Sequence, residues 1–591
     1  MRTAIDEHLA ALYGQDRAAL LAPRLRQIVE KYPGLQRRDA SAREPLPLPL
    51  TQCDALLITY GDQVREDGVP PLQTLAAFCE QHLRGVMSGV HILPFYPFTS
   101  DDGFSVTDFF AVNPALGTWE DVRRVAASFD LMFDAVFNHM SAESDWFQKF
   151  LGDDPAYRDF FVCVEGDPDL SRVIRPRALP LLTEFQCATG PRKVWTTFSA
   201  DQVDVNIQNP EVLLALLDAL LFYVSQGATF IRLDAIAFLW KEIGTTCLHR
   251  PQTHCVIQIM RALLDEAAPG VMLITETNVP HLDNISYFGA GTNEAHLVYN
   301  FALPPLVLHS LATGNAEKLT RWAQSLVLPS DRVTFFNFLA SHDGIGVNPA
   351  RGILSDEEIE ALVARTLAHG GFISYKHMPD GSKVPYEMNI VYFDALNDPS
   401  VDESIDAQVD RFMVSQAIML SLMGMPGIYF HSLFGSRNDR QGALDSGINR
   451  RINRQKFTRA ELETELSEEH SLRSRVLQRY KALLSARQSH PAFSPSAPQE
   501  ILSGDNRVFA VLRSAAPSGE WVLCLHNVSN EAVTLEIATC NRAPTEVWTE
   551  MLSHQRRRPS DEGKVLVALS AYEVNWISGR GARLARIETA N

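Results

Sequence analysis

The chain has 591 residues, of which 46% are hydrophobic and 21% charged, and its formal net charge at pH 7 is −18. This composition excludes an intrinsically disordered chain, and the length suits a large α/β barrel of about 250 to 400 residues with one or two added domains. The negative charge argues against nucleic acid or an anionic membrane as a partner, because both would be repelled. A small neutral substrate fits better.

Residues 1–50 are predicted to form a helical N-terminal extension. The stretch up to Tyr32 mixes charged and apolar residues, so it lacks the uninterrupted apolar core of a secretory signal. The most apolar run, residues 212–224, contains Asp218 and is too short to span a membrane. The eight cysteines show no metal-ligand spacing. We therefore expect a cytoplasmic protein with reduced thiols, no membrane segment, no metal and no other cofactor.

Between residues 51 and 485, short apolar runs that end in polar residues alternate with amphipathic helical stretches. Such alternation is typical of βαβ units and a parallel sheet. Because the units are numerous and none is followed by a glycine-rich dinucleotide turn, we predict a closed (β/α)₈ TIM barrel rather than an open sheet. The predicted strands are residues 55–62, 89–97, 131–139, 228–235, 271–278, 333–343 and 426–435.

Two long insertions interrupt this alternation, at about residues 140–205 and 344–400. Excursions of this length at the catalytic end of a barrel usually shape the active site. From residue 486 to 591 the pattern changes to short alternating apolar runs with Gly and Pro between them. This pattern predicts a small antiparallel C-terminal β domain.

Four predicted strands end in a carboxylate: Asp134, Asp234, Glu276 and Asp343. In a barrel these ends converge on one mouth. Each acid alone could equally cap the following helix, but four with Arg and His companions favour an active site.

Asp234 and Glu276 fit the chemistry of a retaining glycosidase. That chemistry needs a carboxylate nucleophile about 5 Å from a carboxylic acid, and neighbouring strands provide such a separation. Arg232, two residues before Asp234, points to the same side of its strand and could keep that carboxylate ionised. Asp343, next to His342, could bind sugar hydroxyls and stabilise the positive charge that develops at the anomeric carbon.

Four motifs resemble the conserved regions of the α-amylase family, and QVDVN (202–206) resembles a fifth. They occur in the family's order over residues 54–455. The resemblance implies cleavage of an α-glucosidic bond through a glucosyl–Asp234 intermediate, with Glu276 as acid and base. The four motifs are DAVFNH (134–139), FIRLDA (230–235), Glu276 in LITETN, and SHD (341–343).

Within that family, several passages resemble the sucrose phosphorylase group, among them residues 89–109, 174–180 and 450–454. The resemblance implies a phosphorylase, in which inorganic phosphate attacks the glucosyl ester and α-glucose 1-phosphate is released. Arg177 matches a phosphate-binding arginine of the group, and Arg suits bidentate phosphate binding. A solvated surface position is the alternative for Arg177.

The same match implies a glucose pocket. Asp102 and Arg450 would hold the far hydroxyls of the sugar, because hydrogen bonds to charged groups are stronger than those to neutral groups. Phe104 and Phe198 would be apolar walls, with core packing as the alternative. The remaining pocket residues implied by the match are His139, Gln202, Arg232 and His342.

The chain departs from the sucrose phosphorylase pattern at Asn278, where that group has a histidine that contacts fructose. Asn278 and residues 348–354 and 375–381 look more like the glucosylglycerate phosphorylases of the group. An acidic leaving group such as glycerate needs a cation, for which Arg351 and Lys376 are candidates. We therefore expect 2-O-α-glucosylglycerate as the substrate, with sucrose or sucrose 6-phosphate as alternatives.

Other classes stay open. A hydrolase or transglucosylase would use the same carboxylates. A non-catalytic, amylase-like module would lose the carboxylates and carry a membrane anchor, whereas we expect this chain to use its carboxylates and to have no anchor. A metal-dependent barrel enzyme would need a ligand cluster that the sequence does not show. A homodimer is an open alternative, because the sequence does not determine the oligomeric state.

Overall fold

The computed structural model describes residues 4–35, 48–176, 179–377, 382–515, 518–539, 547–581 and 584–589. Eight parallel strands form a closed barrel in which each strand pairs with its neighbours in chain order and the last pairs with the first. The predicted (β/α)₈ fold is confirmed. The barrel strands are β1 (Leu56–Thr59), β2 (Gly89–Ile92), β3 (Asp130–Ala135), β4 (Ala228–Leu233), β5 (Met272–Thr275), β6 (Leu297–Tyr299), β7 (Thr334–Asn337) and β8 (Met425–Tyr429).

Strand β6 is the barrel strand that the sequence interpretation missed. It has only three residues, and all of them are buried. Its register is set by both neighbours, since Leu297 pairs with Ile274 of β5 and with Thr334 of β7. So short a run carries too little pattern to be recognised without its partners.

The barrel strands are apolar almost throughout because helices cover the outside of the sheet and side chains fill the inside. Glycine occurs where strands pack most tightly. A Cβ at Gly89 would lie 2.3 Å from Leu56 Cδ2 and 2.6 Å from the backbone carbonyl oxygen of Asp130. The main covering helices are Pro71–Leu83, Trp119–Ala126, Pro210–Ser225, Pro251–Ala267, Leu303–Thr313, Glu317–Gln324, Ile405–Ser421 and Leu472–Gln488.

The N-terminal extension contains two helices, Ala4–Tyr13 and Gln15–Glu30, which pack on the outside of the barrel. Asp218 is a principal contact: its carboxylate accepts a hydrogen bond from the Tyr32 hydroxyl at 2.7 Å and pairs with Lys31 at 2.6 Å. This explains the single acid within the apolar run at 212–224. None of the described helices has the length and apolar character needed to span a membrane.

Both insertions leave the barrel at the carboxyl ends of strands, after β3 and after β7. In the first insertion, strand His139–Ser141 pairs with strand Gln202–Asp204. Helix Asp145–Leu151 follows along the chain, and then a second sheet that contains Cys163–Val164, Leu182–Cys187 and Gly190–Trp195. The second insertion has a sheet of Ile345–Gly346, Lys383–Asn389 and Phe372–His377, with helices Asp356–Ala368 and Tyr392–Leu396.

Two antiparallel sheets follow the barrel, as predicted for the C-terminal part of the chain. The buried Arg513 guanidinium, in strand Val508–Ala515 of one sheet, donates to the carbonyl oxygen of Ser421 at 3.0 Å and so joins that sheet to the covering helix Ile405–Ser421. One sheet contains Gln499–Leu502, Val508–Ala515, Glu520–Asn527, Val574–Arg580, Trp548–Glu550 and Arg556–Arg557, and the other contains Lys564–Leu569, Val533–Thr539 and Leu584–Thr589.

Candidate active site

A cavity opens at the carboxyl ends of the barrel strands, between the two insertions. Most of the residues predicted from the sequence line it together, although they are far apart along the chain. The predicted residues that line it are Phe104, His139, Phe198, Gln202, Asp234, Glu276, Asn278, His342, Asp343 and Arg450.

Asp234 and Glu276 stand side by side because strands β4 and β5 are in register. Leu233 pairs with Thr275 at the ends of these strands, and each acid is the residue that directly follows its strand. Adjacent strands lie about 4.8 Å apart, which suits the separation of about 5 to 5.5 Å used by retaining enzymes. Glu276 Oε2 also accepts a hydrogen bond at 3.0 Å from the N–H of Ala235, whose φ of 47° is left-handed. This bond fixes the Glu276 carboxylate beside Asp234.

Arg232 does not line the cavity. It is buried, and its Nη1 contacts Asp234 Oδ1 at 2.9 Å and also pairs with Asp134. Asp134 is held from its other side by His91 Nε2 at 2.6 Å. Arg232 therefore binds Asp234 from within the protein, behind the described residues that line the cavity.

Burial dominates the electrostatics of the Asp234–Glu276 pair. It raises the pKa of Asp234 well above its ordinary value, and Arg232 opposes that rise while Glu276 adds to it. Burial also raises the pKa of Glu276. The guanidinium acts in the predicted direction on Asp234, but it is outweighed. The pair thus keeps a proton to higher pH than isolated carboxylates do.

The charges around Asp343 lower its pKa, in contrast to the raised pKa values of Asp234 and Glu276. Its Oδ1 lies 2.5 Å from Arg450 Nη1 and 3.9 Å from Arg454 Nη2. Burial opposes its ionisation, but Arg450 and Arg454 lower the pKa of Asp343 well below its ordinary range. Burial lowers the pKa of His342 to about 3, so this ring is neutral at ordinary pH. It stacks on Phe104 with centroids 4.6 Å apart.

At the far end of the cavity the structure differs from the prediction. Asp101, not Asp102, lines the cavity, and Asp102 pairs instead with Arg451 and, at 2.7 Å, with Arg454. Both aspartates have left-handed backbone, with φ of 53° and 50°. A turn this tight separates the directions of consecutive side chains. The DDGF motif offered two acids, and sequence alone did not distinguish them.

His139, Gln202 and Phe198 meet at one wall, through the pairing of the two short strands in the first insertion. His139 Nε2 lies 2.8 Å from the Phe104 carbonyl oxygen, to which Gln202 Nε2 also donates at 3.2 Å. The Phe198 ring lies 5.1 Å from the imidazole. This wall offers both polar edges and an apolar face, as a sugar ring requires.

Asn278 lies on the side of the cavity next to Glu276. Its buried Oδ1 has no hydrogen-bond partner within the described part of the chain. A Cβ at Gly346 would come within 2.7 Å of both Asn278 amide atoms, so only glycine leaves the amide in its place. The sequence pattern singled out Asn278 but gave no sign of Gly346.

The structure does not bring the two candidate cations for an acidic leaving group to the cavity wall. Lys376 Nζ bonds to Asn348 Oδ1 at 3.2 Å, and Arg351 Nη1 bonds to Asp356 Oδ1 at 3.2 Å. Neither residue is among the described residues that line the cavity, where Arg450 is the one Arg or Lys. Arg177, the predicted phosphate ligand, lies outside the described residues. Among those described, no group of three or more His, Cys, Asp or Glu is placed to hold a metal.

Glu387 is a cavity residue that the sequence interpretation missed. It is 1% exposed and accepts two hydrogen bonds from Arg450, at 3.0 and 2.7 Å. It lies inside the second insertion, in a strand whose sequence resembles no catalytic motif.

Known proteins resemble this chain over most of its length. The catalytic-domain family of α-amylases matches residues 83–344. The chain is 54% identical over 531 residues to a glucosylglycerate phosphorylase of Allomeiothermus silvanus, covering 90% of this chain and 93% of that one. It is 32% identical to a sucrose phosphorylase of Agrobacterium vitis, covering 74% and 88%.

Among solved structures, a sucrose 6F-phosphate phosphorylase from Thermoanaerobacter thermosaccharolyticum superposes with a TM-score of 0.71 at 25% identity, covering 83% of this chain and 96% of that one. The chain therefore belongs to the α-amylase family, in the group that contains the glucosylglycerate and sucrose phosphorylases.

Proposed function

We propose that the protein is a 2-O-α-glucosylglycerate phosphorylase, which converts the glucoside and inorganic phosphate into glycerate and α-glucose 1-phosphate. The observation that carries the proposal is the Asp234–Glu276–Asp343 cavity in a chain 54% identical to a glucosylglycerate phosphorylase but 32% identical to a sucrose phosphorylase. The reaction is a double displacement, so the glucosyl group keeps its α configuration.

In the first step Asp234 attacks the anomeric carbon while Glu276 gives its proton to the glycosidic oxygen. The leaving bond breaks, glycerate departs as the alcohol, and an ester joins glucose to Asp234. The raised pKa values of the pair support this division, because one proton is retained on two acids. Arg232 Nη1 is 2.9 Å from Asp234 but Nη2 is 3.9 Å from Glu276, so the cation favours the negative charge on Asp234.

In the second step a phosphate oxygen attacks the same carbon from the face that the leaving group vacated. Glu276, now ionised, takes the proton from the phosphate, and Asp234 departs as a carboxylate. Asp343 acts in both steps, since each passes through a transition state with positive charge on the sugar. Its strongly lowered pKa supports that role. Arg177 is our candidate for the phosphate ligand, on the strength of the motif match alone.

The glucosyl group is recognised at the closed end of the cavity. Asp101, His139 and Gln202 offer hydrogen-bond partners for the hydroxyls, and Phe104 and Phe198 offer faces for the C–H surfaces of the ring. Burial lowers the pKa of His139, so its ring binds as a neutral group.

Glycerate leaves on the side of Asn278, whose unpartnered amide oxygen can accept a hydrogen bond from a hydroxyl while the amide nitrogen donates to a carboxylate. Tyr386 lines the same cavity and offers a hydroxyl. Because glycerate and glucose 1-phosphate are anions that do not cross a lipid bilayer unaided, we place the reaction in the cytoplasm.

The test is a release assay for glucose 1-phosphate. Purified protein receives 2-O-α-glucosylglycerate or sucrose at equal concentration, with and without phosphate. We expect phosphate-dependent release, with kcat/KM at least about 100-fold higher for the glycerate glucoside, as follows from leaving-group contacts worth a few kcal/mol. Equal or faster turnover of sucrose would reject the substrate. Free glucose as the main product, at a rate independent of phosphate, would indicate a hydrolase.

A further inference from the structure

Arg450 is shared between the buried carboxylate of Glu387 and the partly exposed carboxylate of Asp343. Its Nε and Nη2 donate to the two oxygens of Glu387 at 3.0 and 2.7 Å, and its Nη1 lies 2.5 Å from Asp343 Oδ1. All three nitrogens of the guanidinium are therefore engaged. Bidentate pairing of this kind fixes the plane of the guanidinium as well as its position.

The backbone holds Glu387 rigidly in this arrangement. Gly346 pairs with Glu387 in the sheet of the second insertion, and the strand that contains Gly346 starts two residues after Asp343. A Cβ at Gly344 would lie 2.6 Å from Glu387 Cγ, so the two segments touch. The chain that carries Asp343 and the chain that carries Glu387 thus form one unit, and Arg450 reaches it from the segment Asn449–Asn453.

The contact between Arg450 and Asp343 matters because the cavity is lined mainly by acidic residues. The described wall carries the acids Asp101, Asp234, Glu276, Asp343 and Glu387, with Arg450 as the one Arg or Lys among its described residues. Both phosphate and an acidic leaving group are anions, and a long arginine side chain without a second anchor can turn towards either. Such a turn would remove the cation from Asp343.

We infer that Glu387 is a positioning residue, which holds Arg450 against Asp343 so that the Asp343 carboxylate stays aligned with the anomeric carbon. The inference rests on the proposed role of Asp343 in stabilising the transition state. Glu387 itself touches none of the reacting atoms in this scheme. Its loss should therefore lower kcat more than it raises KM, because the interaction it supports is made in the transition state.

A purely structural ion pair is the alternative, and the chain contains a matched control. Glu403 accepts two hydrogen bonds from Arg411, at 2.8 and 2.6 Å, in a pair that does not line the cavity. Glu403→Gln removes a bidentate ion pair of the same kind without changing any residue that lines the active-site cavity. Its activity should stay within about twofold of the parent, as expected for a change that touches no reacting group.

The experiment measures fluoride release from α-glucosyl fluoride at saturating phosphate for the parent, Glu387→Gln, Arg450→Met and the double variant. This donor reports on the Asp234 and Asp343 chemistry whatever the natural leaving group is. We expect Glu387→Gln to lower kcat at least about tenfold with KM changed less than about threefold. The double variant should match Arg450→Met within about threefold, because Glu387 acts through Arg450.

A loss of less than tenfold in Glu387→Gln, or losses that multiply in the double variant, would overturn the inference. If Glu387→Gln does not fold, as judged by its melting transition, Glu387→Asp takes its place with the same thresholds. Failure of the parent to release fluoride would instead contradict the proposed function. The two failures are therefore distinguishable.

Discussion

Asp343 and the Asp234–Glu276 pair are carboxylates of the same cavity in opposite electrostatic states. Asp343 is surrounded by Arg450, Arg454 and a neutral His342, and its pKa is lowered. The pair has one buried arginine to share, and both of its pKa values are raised. Identical side-chain chemistry thus yields a permanent anion at one position and a proton-carrying pair at the other, according to how many cations face each.

The largest predicted effect comes from removing the nucleophile. Asp234→Ala should abolish glucosyl transfer, with kcat lowered at least about 1,000-fold, while the fold remains intact because the buried Arg232 keeps its pairing with Asp134. The measurement is glucose 1-phosphate release alongside a thermal melt. Retention of more than a few percent of activity would place the nucleophile elsewhere and remove the distinction between the pair and Asp343.

Replacing the acid should have a smaller and conditional effect. Glu276→Gln should lower turnover of the glycerate glucoside by about 100- to 10,000-fold, because a poor leaving group needs the proton. With α-glucosyl fluoride, whose leaving group needs no proton, much of this loss should disappear. Equal losses with both donors would reassign the acid.

The pH profile sharpens the comparison. Activity needs one proton on the pair, so protonation of Asp234 at low pH and deprotonation of Glu276 at high pH both stop the reaction. Because both pKa values are raised, the bell-shaped profile of kcat/KM should lie above the ordinary titration range of carboxylates. On α-glucosyl fluoride, whose leaving group needs no proton, the profile of the parent protein should lose the alkaline limb and keep the acidic one. If the alkaline limb persists unchanged on this donor, it arises from the titration of a group other than Glu276.

The smallest predicted effect concerns the leaving-group side. Gly346→Ala should displace the Asn278 amide, since the new Cβ would lie 2.7 Å from it. We expect kcat/KM for the glycerate glucoside to fall by about tenfold, with α-glucosyl fluoride nearly unaffected. Gly34→Ala, where nothing lies within 4 Å of the added Cβ, is the control. A similar loss on both donors would mean that the carboxylates themselves had moved.

The carboxylates were predictable because the barrel places them by a local rule, in which a strand ends and its next residue faces the mouth. Asp234 and Glu276 follow that rule directly. The contacts that depend on distant segments were not predictable. The choice between Asp101 and Asp102 depends on two backbone angles. The Glu387 carboxylate is linked to the Asp343 carboxylate through Arg450, which is 63 residues further along the chain than Glu387.

The most direct test of the account is to trap the covalent intermediate. The protein is treated with 5-fluoro-α-glucosyl fluoride, digested and mapped by mass spectrometry, and a second sample of the trapped protein receives phosphate. We predict one glucosyl label, on Asp234, which phosphate releases as a sugar phosphate faster than water releases it. A label on Glu276 or Asp343, or turnover without any label on Asp234, would contradict the mechanism.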